Sequence, residues 1–115
     1  MIDIETFRSL ALSFDNTDEV PHFEKASFRV KKKIFATLSF EHHRACIKLS
    51  AIDQSVFCSF DNTIIYPVPN KWGKQGWTHL NLKLIRKDLL IDALTTSYLE
   101  VSTKKILKVK PNESA

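Results

Sequence analysis

Glycine and cysteine are scarce in this chain, with two residues of each among 115. The cysteines, Cys46 and Cys58, are too few for a disulfide framework and show neither a CxxC pair nor zinc-finger spacing. This favours a reducing, cytoplasmic setting. No apolar run approaches the roughly 18 residues that a membrane span requires. The start, MIDIETF, lacks the basic residues and apolar block of a secretory signal, so we expect a cytoplasmic protein without a membrane partner.

The composition is that of a globular protein, with 43% hydrophobic and 26% charged residues. A chain of this length is one domain by the usual size relation, and we expect a monomer. The C-terminal residues are rich in lysine, contain Pro111 and end in NESA. We therefore predict a domain over residues 1–105 and a flexible tail over residues 106–115.

The net charge of +4 is unevenly distributed. Residues 1–24 hold six acidic residues and one arginine, a net charge of −5, so the rest of the chain carries +9. A basic body attracts DNA and other polyanions. The alternative is that these lysines only keep the protein soluble.

Hydrophobic periodicity predicts an α+β fold. Steps of three and four residues predict helices, and alternation predicts strands. The turn formers and proline of DNTDEVP end the first helix. The order is α-β-β-β-α-β-β-α, a two-layer sandwich with a mainly antiparallel five-stranded sheet. The predicted elements are a helix over 3–13, three strands within 26–49, a helix over 50–60, the strands IIYPVP and WTHLNLKL, and a helix over 86–104.

The same alternation predicts which side chains lie on the sheet face away from the helices. A register error of one residue would invert this set, because side chains alternate between the two faces. The predicted open face carries Phe35, Thr37, Cys46, Lys48, Trp77, His79 and Asn81.

Three blocks of the chain resemble the MmcQ/YjbR family of small bacterial proteins, over nearly the whole chain and in the same order. They are PHFEKASFRVKKKIFATL, YPVPNKWGKQGWTHLNL and RKDLLIDALTTSYLEV. The resemblance implies a secretion-chaperone-like or CyaY-like α+β fold and a double-wing DNA-binding role, without an enzymatic reaction. The positions that match the family pattern are Phe23, Phe28, Phe35, Lys74, Trp77, Ser97 and Tyr98.

The chain departs from this family at the tip of its first hairpin. Many members turn there with glycine, whereas this chain has Lys31, Lys32 and Lys33. Turn types with positive φ are less natural without glycine, so we expect a longer or bulged loop and a more basic wing.

Two basic tips are the strongest functional signal. Lysines on protruding tips can neutralise phosphates without reading sequence. An exposed Trp72 could add base stacking, which favours single strands. The alternative is a solvated hairpin whose lysines protect a sheet edge. The predicted nucleic-acid-binding residues are Lys31, Lys32, Lys33, Lys71, Trp72 and Lys74.

A protein partner on the open sheet face is the second hypothesis. Its residues are Phe35, Lys48, Trp77 and His79, which would form an exposed patch. The alternative for Trp77 is a packing anchor that starts its strand and contacts a helix.

Nothing in the sequence organises a catalytic or metal site. His42 and His43 are adjacent in a predicted turn, and no carboxylate stands at ligand spacing from His22 or His79. The stretch GKQG is neither a P-loop nor a dinucleotide fingerprint. We therefore expect a non-enzymatic binding module with no catalytic residues, no metal and no cofactor.

Overall fold

The structure, a computed structural model, describes the backbone of residues 1–22 and 24–114 and the side chains of residues 1–21 and 24–103. It contains four helices and six strands in these ranges. In chain order they are α1 (Ile4–Leu12), β1 (Thr17–His22), β2 (Lys25–Val30), β3 (Lys33–Ser39), β4 (Arg44–Lys48), α2 (Ala51–Cys58), β5 (Ile65–Pro67), α3 (Lys71–Lys74), β6 (Trp77–Asn81) and α4 (Lys87–Ser114).

The strands form one antiparallel sheet in the order β1-β2-β3-β4-β6-β5. Helix α4 packs on β2, β3 and β4, and α1 packs on β1 and α4. The helices and one sheet face enclose the core, so the predicted α+β class is confirmed. None of the helices in the described ranges combines the length and the apolar character needed to cross a membrane.

The predicted count of five strands is wrong, because the turn formers of DNTDEVP predict a turn where β1 begins. Its sequence, TDEVPH, is polar and contains Pro21, and it lacks the alternation of a half-buried strand. It is an edge strand, paired only with β2, and an edge strand tolerates a proline and carries charge. The second missed element is α3, a single turn of helix within NKWGKQGW.

A β-bulge in β3 changes which side chains reach the core. Phe28 pairs with Ala36 but Arg29 pairs with Ile34, which leaves Phe35 as an extra residue. The extra residue inverts the alternation, so Phe35 is fully buried and Ile34 is 40% exposed. The prediction that Phe35 lies on the open face is therefore wrong.

The β2–β3 connection is a two-residue turn. Lys31 and Lys32 have φ values of 53° and 68°, the positive values that a type I′ turn needs. The expected longer or bulged loop is therefore wrong: the tip is a tight turn despite the absence of glycine, and the bulge lies within β3. Left-handed backbone at two consecutive lysines costs about 1–2 kcal/mol per residue.

The helix ends follow from their sequences. The Asp3 side chain caps α1 by accepting the Thr6 N–H at 2.7 Å, and Ser50 caps α2 by accepting the Asp53 N–H at 3.1 Å. Helix α4 continues past its predicted end to Ser114. The expected flexible tail, residues 106–115, lies outside the described side chains and stays a prediction.

Candidate functional site

The sheet face opposite α1 and α4 carries a hollow of about 390 Å³, here called the sheet hollow. On β2, β4 and β6 most of its residues alternate with fully buried ones and share the open face, and Ala45 is the buried exception. They are Lys25, Ile34, Thr37, Ser39, Arg44, Ala45, Cys46, Val68, Trp72, Trp77 and His79.

A row of paired residues crosses the middle of the sheet hollow. Thr37 pairs with Cys46, Cys46 with His79, and His79 with Tyr66. Side chains directly opposite each other on neighbouring strands lie about 5 Å apart, so the row is continuous. The rings of Tyr66 and His79 are 5.2 Å apart.

Both tryptophans of the chain lie at one end of the sheet hollow. Trp77 begins β6, pairs with Lys48 and is half-buried, so it faces the sheet hollow and does not belong to the fully buried core. Trp72 stands on α3 and is 49% exposed. The ammonium of Lys71 is 6.0 Å from the centre of the Trp72 ring. With Ile34 and Val68, these rings make this end apolar and aromatic.

The two glycines let α3 fold closely against the sheet. A Cβ at Gly73 would lie 1.9 Å from the carbonyl oxygen of Val68, and one at Gly76 would lie 1.8 Å from that of Leu49. Gly76 also has a φ of 105°, which side chains rarely permit. Asn70 caps the short helix by accepting the Trp72 N–H at 2.9 Å.

Gln54 on α2 holds this segment in place, although no pattern in the sequence marks this residue. Its side-chain amide donates to the carbonyl oxygen of Gly73 at 2.9 Å and to the Thr78 hydroxyl at 3.1 Å. Since Gly73 follows Trp72 directly, Gln54 fixes the helix that carries this ring.

The opposite end of the sheet hollow is cationic. Lys25 pairs with Ser39, and Ser39 pairs with Arg44, so both cations lie in one row. Within the described side chains, no carboxylate lines the sheet hollow and neither cation has an ion pair. Sequence reasoning missed both residues, because only the strand register brings them together.

His79 is neutral at pH 7. Burial, followed by the positive charges of Arg44 and Lys25, lowers the pKa of His79 to about 4. Its Nδ1 atom is shielded from solvent and has no hydrogen-bond partner among the described residues. The ring therefore adds an uncharged flat surface to the sheet hollow.

The thiol of Cys46 is a poor candidate for a nucleophile. Burial raises the pKa of the Cys46 thiol to about 11, so the thiol stays protonated at neutral pH. A protonated thiol is a poor nucleophile, which argues against covalent chemistry at this position.

The two predicted basic tips lie at the same end of the sheet. Ile47 on β4 pairs with Ala36, so the chain beyond Ala36 towards Lys31 and Lys32 extends past the end of β4. Helix α3, with Lys71 and Lys74, precedes β6 at this same end, where Trp77 pairs with the last residue of β4. All four lysines are exposed.

Two residues of the predicted binding sets lie outside the sheet hollow. Lys33 and Lys48 border a small cleft beside Glu100 and Val101 of α4, and neither lines the sheet hollow. The Lys48 ammonium donates to the carbonyl oxygen of Gln75. Of the predicted protein-binding set, Trp77 and His79 remain together on the open face, whereas Phe35 is in the core and Lys48 faces this cleft.

Comparison with known proteins identifies the family. The family model described as YjbR matches residues 12–100. The chain belongs to the YjbR family. The solved structure of the Deinococcus radiodurans protein DR2400, which carries the domain DUF419, is similar in fold, with a TM-score of 0.78 and 21% identity. The match covers 91% of this chain and 82% of that one. None of the curated proteins compared with the chain matches it significantly.

Several positions of the YjbR pattern stabilise the fold in this chain. Ser97 is fully buried between β3 and β4, and the Tyr98 hydroxyl donates to the carbonyl oxygen of Asp15 at 2.8 Å. The ring of Tyr98 stacks on Phe14 with centres 4.7 Å apart. Phe23 lies outside the described residues.

The described histidine side chains of this YjbR domain do not take part in a metal-binding group. His43 donates its Nε2 hydrogen to the carbonyl oxygen of Ile2 at 2.6 Å, which ties the β3–β4 turn to the N-terminus. Across the described ranges, no three side chains among His, Cys, Asp and Glu are grouped so that they could hold a metal ion.

Proposed function

We propose that this YjbR-family chain is a non-catalytic binding module for nucleic acid, and that its two lysine-bearing tips contact the phosphates. The observation that carries the proposal is the position of both tips at one end of the sheet. Lysines on two protruding segments that face one way can contact one polyanion at the same time, which adds their contributions to affinity.

The charge distribution supports the same function. Acidic side chains near α1 and β1 are paired internally, since Arg8 contacts Glu5 and Glu19, each at 3.0 Å, and Arg29 contacts Asp18 at 2.8 Å. The lysines of the two tips form no ion pair within the described side chains. Their charges are therefore available to an external anion.

The experiment is a titration of fluorescently labelled DNA at several salt concentrations. Three variants each remove two charges: Lys31→Asn with Lys32→Gly, Lys71→Gln with Lys74→Gln, and the control Lys83→Gln with Lys87→Gln. The control lysines are exposed and lie beyond the far end of β6. Each tip variant should reduce the slope of log K against log salt by roughly 1.4 on single strands or 1.8 on duplex.

The control variant should leave that slope almost unchanged. Absence of binding at low salt would overturn the proposal. So would equal slopes for the tip variants and the control, because the affinity would then depend only on net charge.

A protein partner on the open face is the second candidate function. The observation in its favour is that Trp72 and Ile34, both large and apolar, are 49% and 40% exposed on this face. A stoichiometric protein ligand that survives nuclease treatment, is lost in Trp77→Ala and is retained in both tip variants would favour this candidate. Trp77→Ala must keep its cooperative unfolding for that result to count.

A further inference from the structure

The sheet hollow has two chemically different ends. Trp72 and Trp77 line one end, and Lys25 and Arg44 line the other. We propose that it binds one unstacked nucleotide, with the base against the tryptophans and the phosphate at the two cations. This inference rests on the proposed function and specifies the ligand as a single strand.

The size of the sheet hollow suits a nucleotide. Its volume of about 390 Å³ falls at the lower end of the roughly 300–1,000 Å³ of small-molecule sites. Arg44 and Lys48 are four residues apart on β4, and Trp77 pairs with Lys48. At about 3.3 Å per residue, the cationic row lies roughly 13 Å from the Trp77 row. A base, sugar and phosphate in line can reach from one end towards the other, whereas a lone phosphate reaches only the cations.

The charges select an anion. Arg44 is partly buried, and neither it nor Lys25 has an acidic partner within the described side chains. A phosphate oxygen between them would form charge-assisted hydrogen bonds, the stronger class of hydrogen bond. Among the described side chains, no carboxylate in the lining repels that phosphate.

The aromatic side chains of the sheet hollow favour a nucleotide base as the ligand at that end. Every base has a π-face that can stack on tryptophan, and such stacking tolerates different sequences. The neutral ring of His79, next to Tyr66, extends the flat surface without adding charge. Bases in a duplex are already stacked on their neighbours, so only a single strand or an extruded nucleotide can fill the sheet hollow.

Intrinsic fluorescence reports directly on this site, because the chain has two tryptophans and both line the sheet hollow. The probes are an eight-residue oligothymidylate, a blunt duplex of equal length, thymidine 5′-monophosphate and thymidine. We expect the oligothymidylate to quench the fluorescence and the duplex to leave it nearly unchanged at the same salt concentration. Quenching by the monophosphate but not by the oligomer would show that the occupant is a free nucleotide.

Three variants distinguish the contributions of the two ends of the sheet hollow to binding from the contribution of the lysine-bearing tips. Trp72→Ala, at a half-exposed position, should weaken oligothymidylate binding roughly 5- to 150-fold without changing the salt slope. Arg44→Gln should weaken the monophosphate about tenfold and leave thymidine unaffected. Lys25→Gln, at an exposed position, should act in the same direction if Arg44→Gln does not fold.

Some outcomes overturn the inference and leave the proposed function standing. In one such outcome, the duplex and the single strand bind with equal affinity and leave the tryptophan fluorescence unchanged. In another, Trp72→Ala and Arg44→Gln bind the oligothymidylate as tightly as the wild type does, while the tip variants lose affinity. Absence of binding by every nucleic acid at low salt overturns both. Quenching by thymidine that equals quenching by the monophosphate would overturn the assignment of the phosphate to Lys25 and Arg44.

Discussion

Ser97 on α4 donates its hydroxyl hydrogen to the carbonyl oxygen of Phe35 at 2.7 Å. The hydroxyl oxygen of Ser97 in turn accepts the backbone N–H of Lys48 at 3.1 Å. The β3–β4 ladder stops at the pair Ala36 and Ile47, so these two backbone groups lie just beyond it. Ser97 supplies both with a partner and thereby joins the helix layer to the bulge that shapes the open face.

Ser97→Ala should lower the free energy of unfolding by about 1–3 kcal/mol, because it leaves a buried donor and a buried acceptor unpaired. Urea unfolding measures the change. Ser9→Ala is the matched control, since Ser9 is exposed on α1 and gains the same helix propensity. Equal stability of the two variants would mean that water replaces the hydroxyl at Phe35 and Lys48.

The tip of the β2–β3 hairpin is strained in a way that can be relieved. Lys31→Asn with Lys32→Gly supplies the residues that a type I′ turn prefers and should raise the free energy of unfolding by about 1 kcal/mol. Lys31→Gln with Lys32→Gln removes the same two charges but keeps ordinary side chains at positive φ. If both variants unfold at the same urea concentration, the benefit comes from charge removal and not from the backbone.

The sequence predicted most of the fold because most elements have clear periodicity. In β6, alternation correctly assigned Trp77 and His79 to the open face. It failed at Phe35, because a bulge adds one residue and no local pattern marks it. It also failed at β1, because this polar edge strand has no hydrophobic alternation and forms by pairing with β2.

The candidate site was predicted less completely. The tips were visible as runs of lysine, and Trp72 was visible beside them. Lys25 and Arg44 are 19 residues apart in the chain and become neighbours only through the registers of β2, β3 and β4. Such convergence depends on long-range pairing, which a single sequence does not specify.

Gly76→Ala should destabilise the segment that carries Trp72 by at least about 2 kcal/mol. The reasons are a φ of 105° and a Cβ that would lie 1.8 Å from the Leu49 carbonyl oxygen. Gln75→Ala is the control, at an exposed neighbouring position. Thermal unfolding followed by tryptophan fluorescence measures both, and a wild-type midpoint for Gly76→Ala would contradict the close approach of this segment to Leu49.

The stability of the domain should depend on pH through His79. Its pKa is lowered from 6.5 to about 4 in the folded state, chiefly by burial. Between these values the unfolded chain binds a proton that the folded domain does not. The free energy of unfolding should therefore fall as the pH is lowered from about 6.5 towards 4, and His79 should contribute no pH dependence above that window.

Urea unfolding between pH 7 and pH 5 tests this dependence before most carboxylates titrate. His79→Gln should lose part of the slope, whereas His42→Gln, at an exposed turn position, should keep it. Arg44→Gln removes one of the positive charges that disfavour the imidazolium, so the pKa of His79 should rise in that variant, as measured by NMR of the ring protons. A His79 pKa that is the same with and without Arg44 would mean that Arg44 does not act on the ring, and that burial and Lys25 hold it neutral.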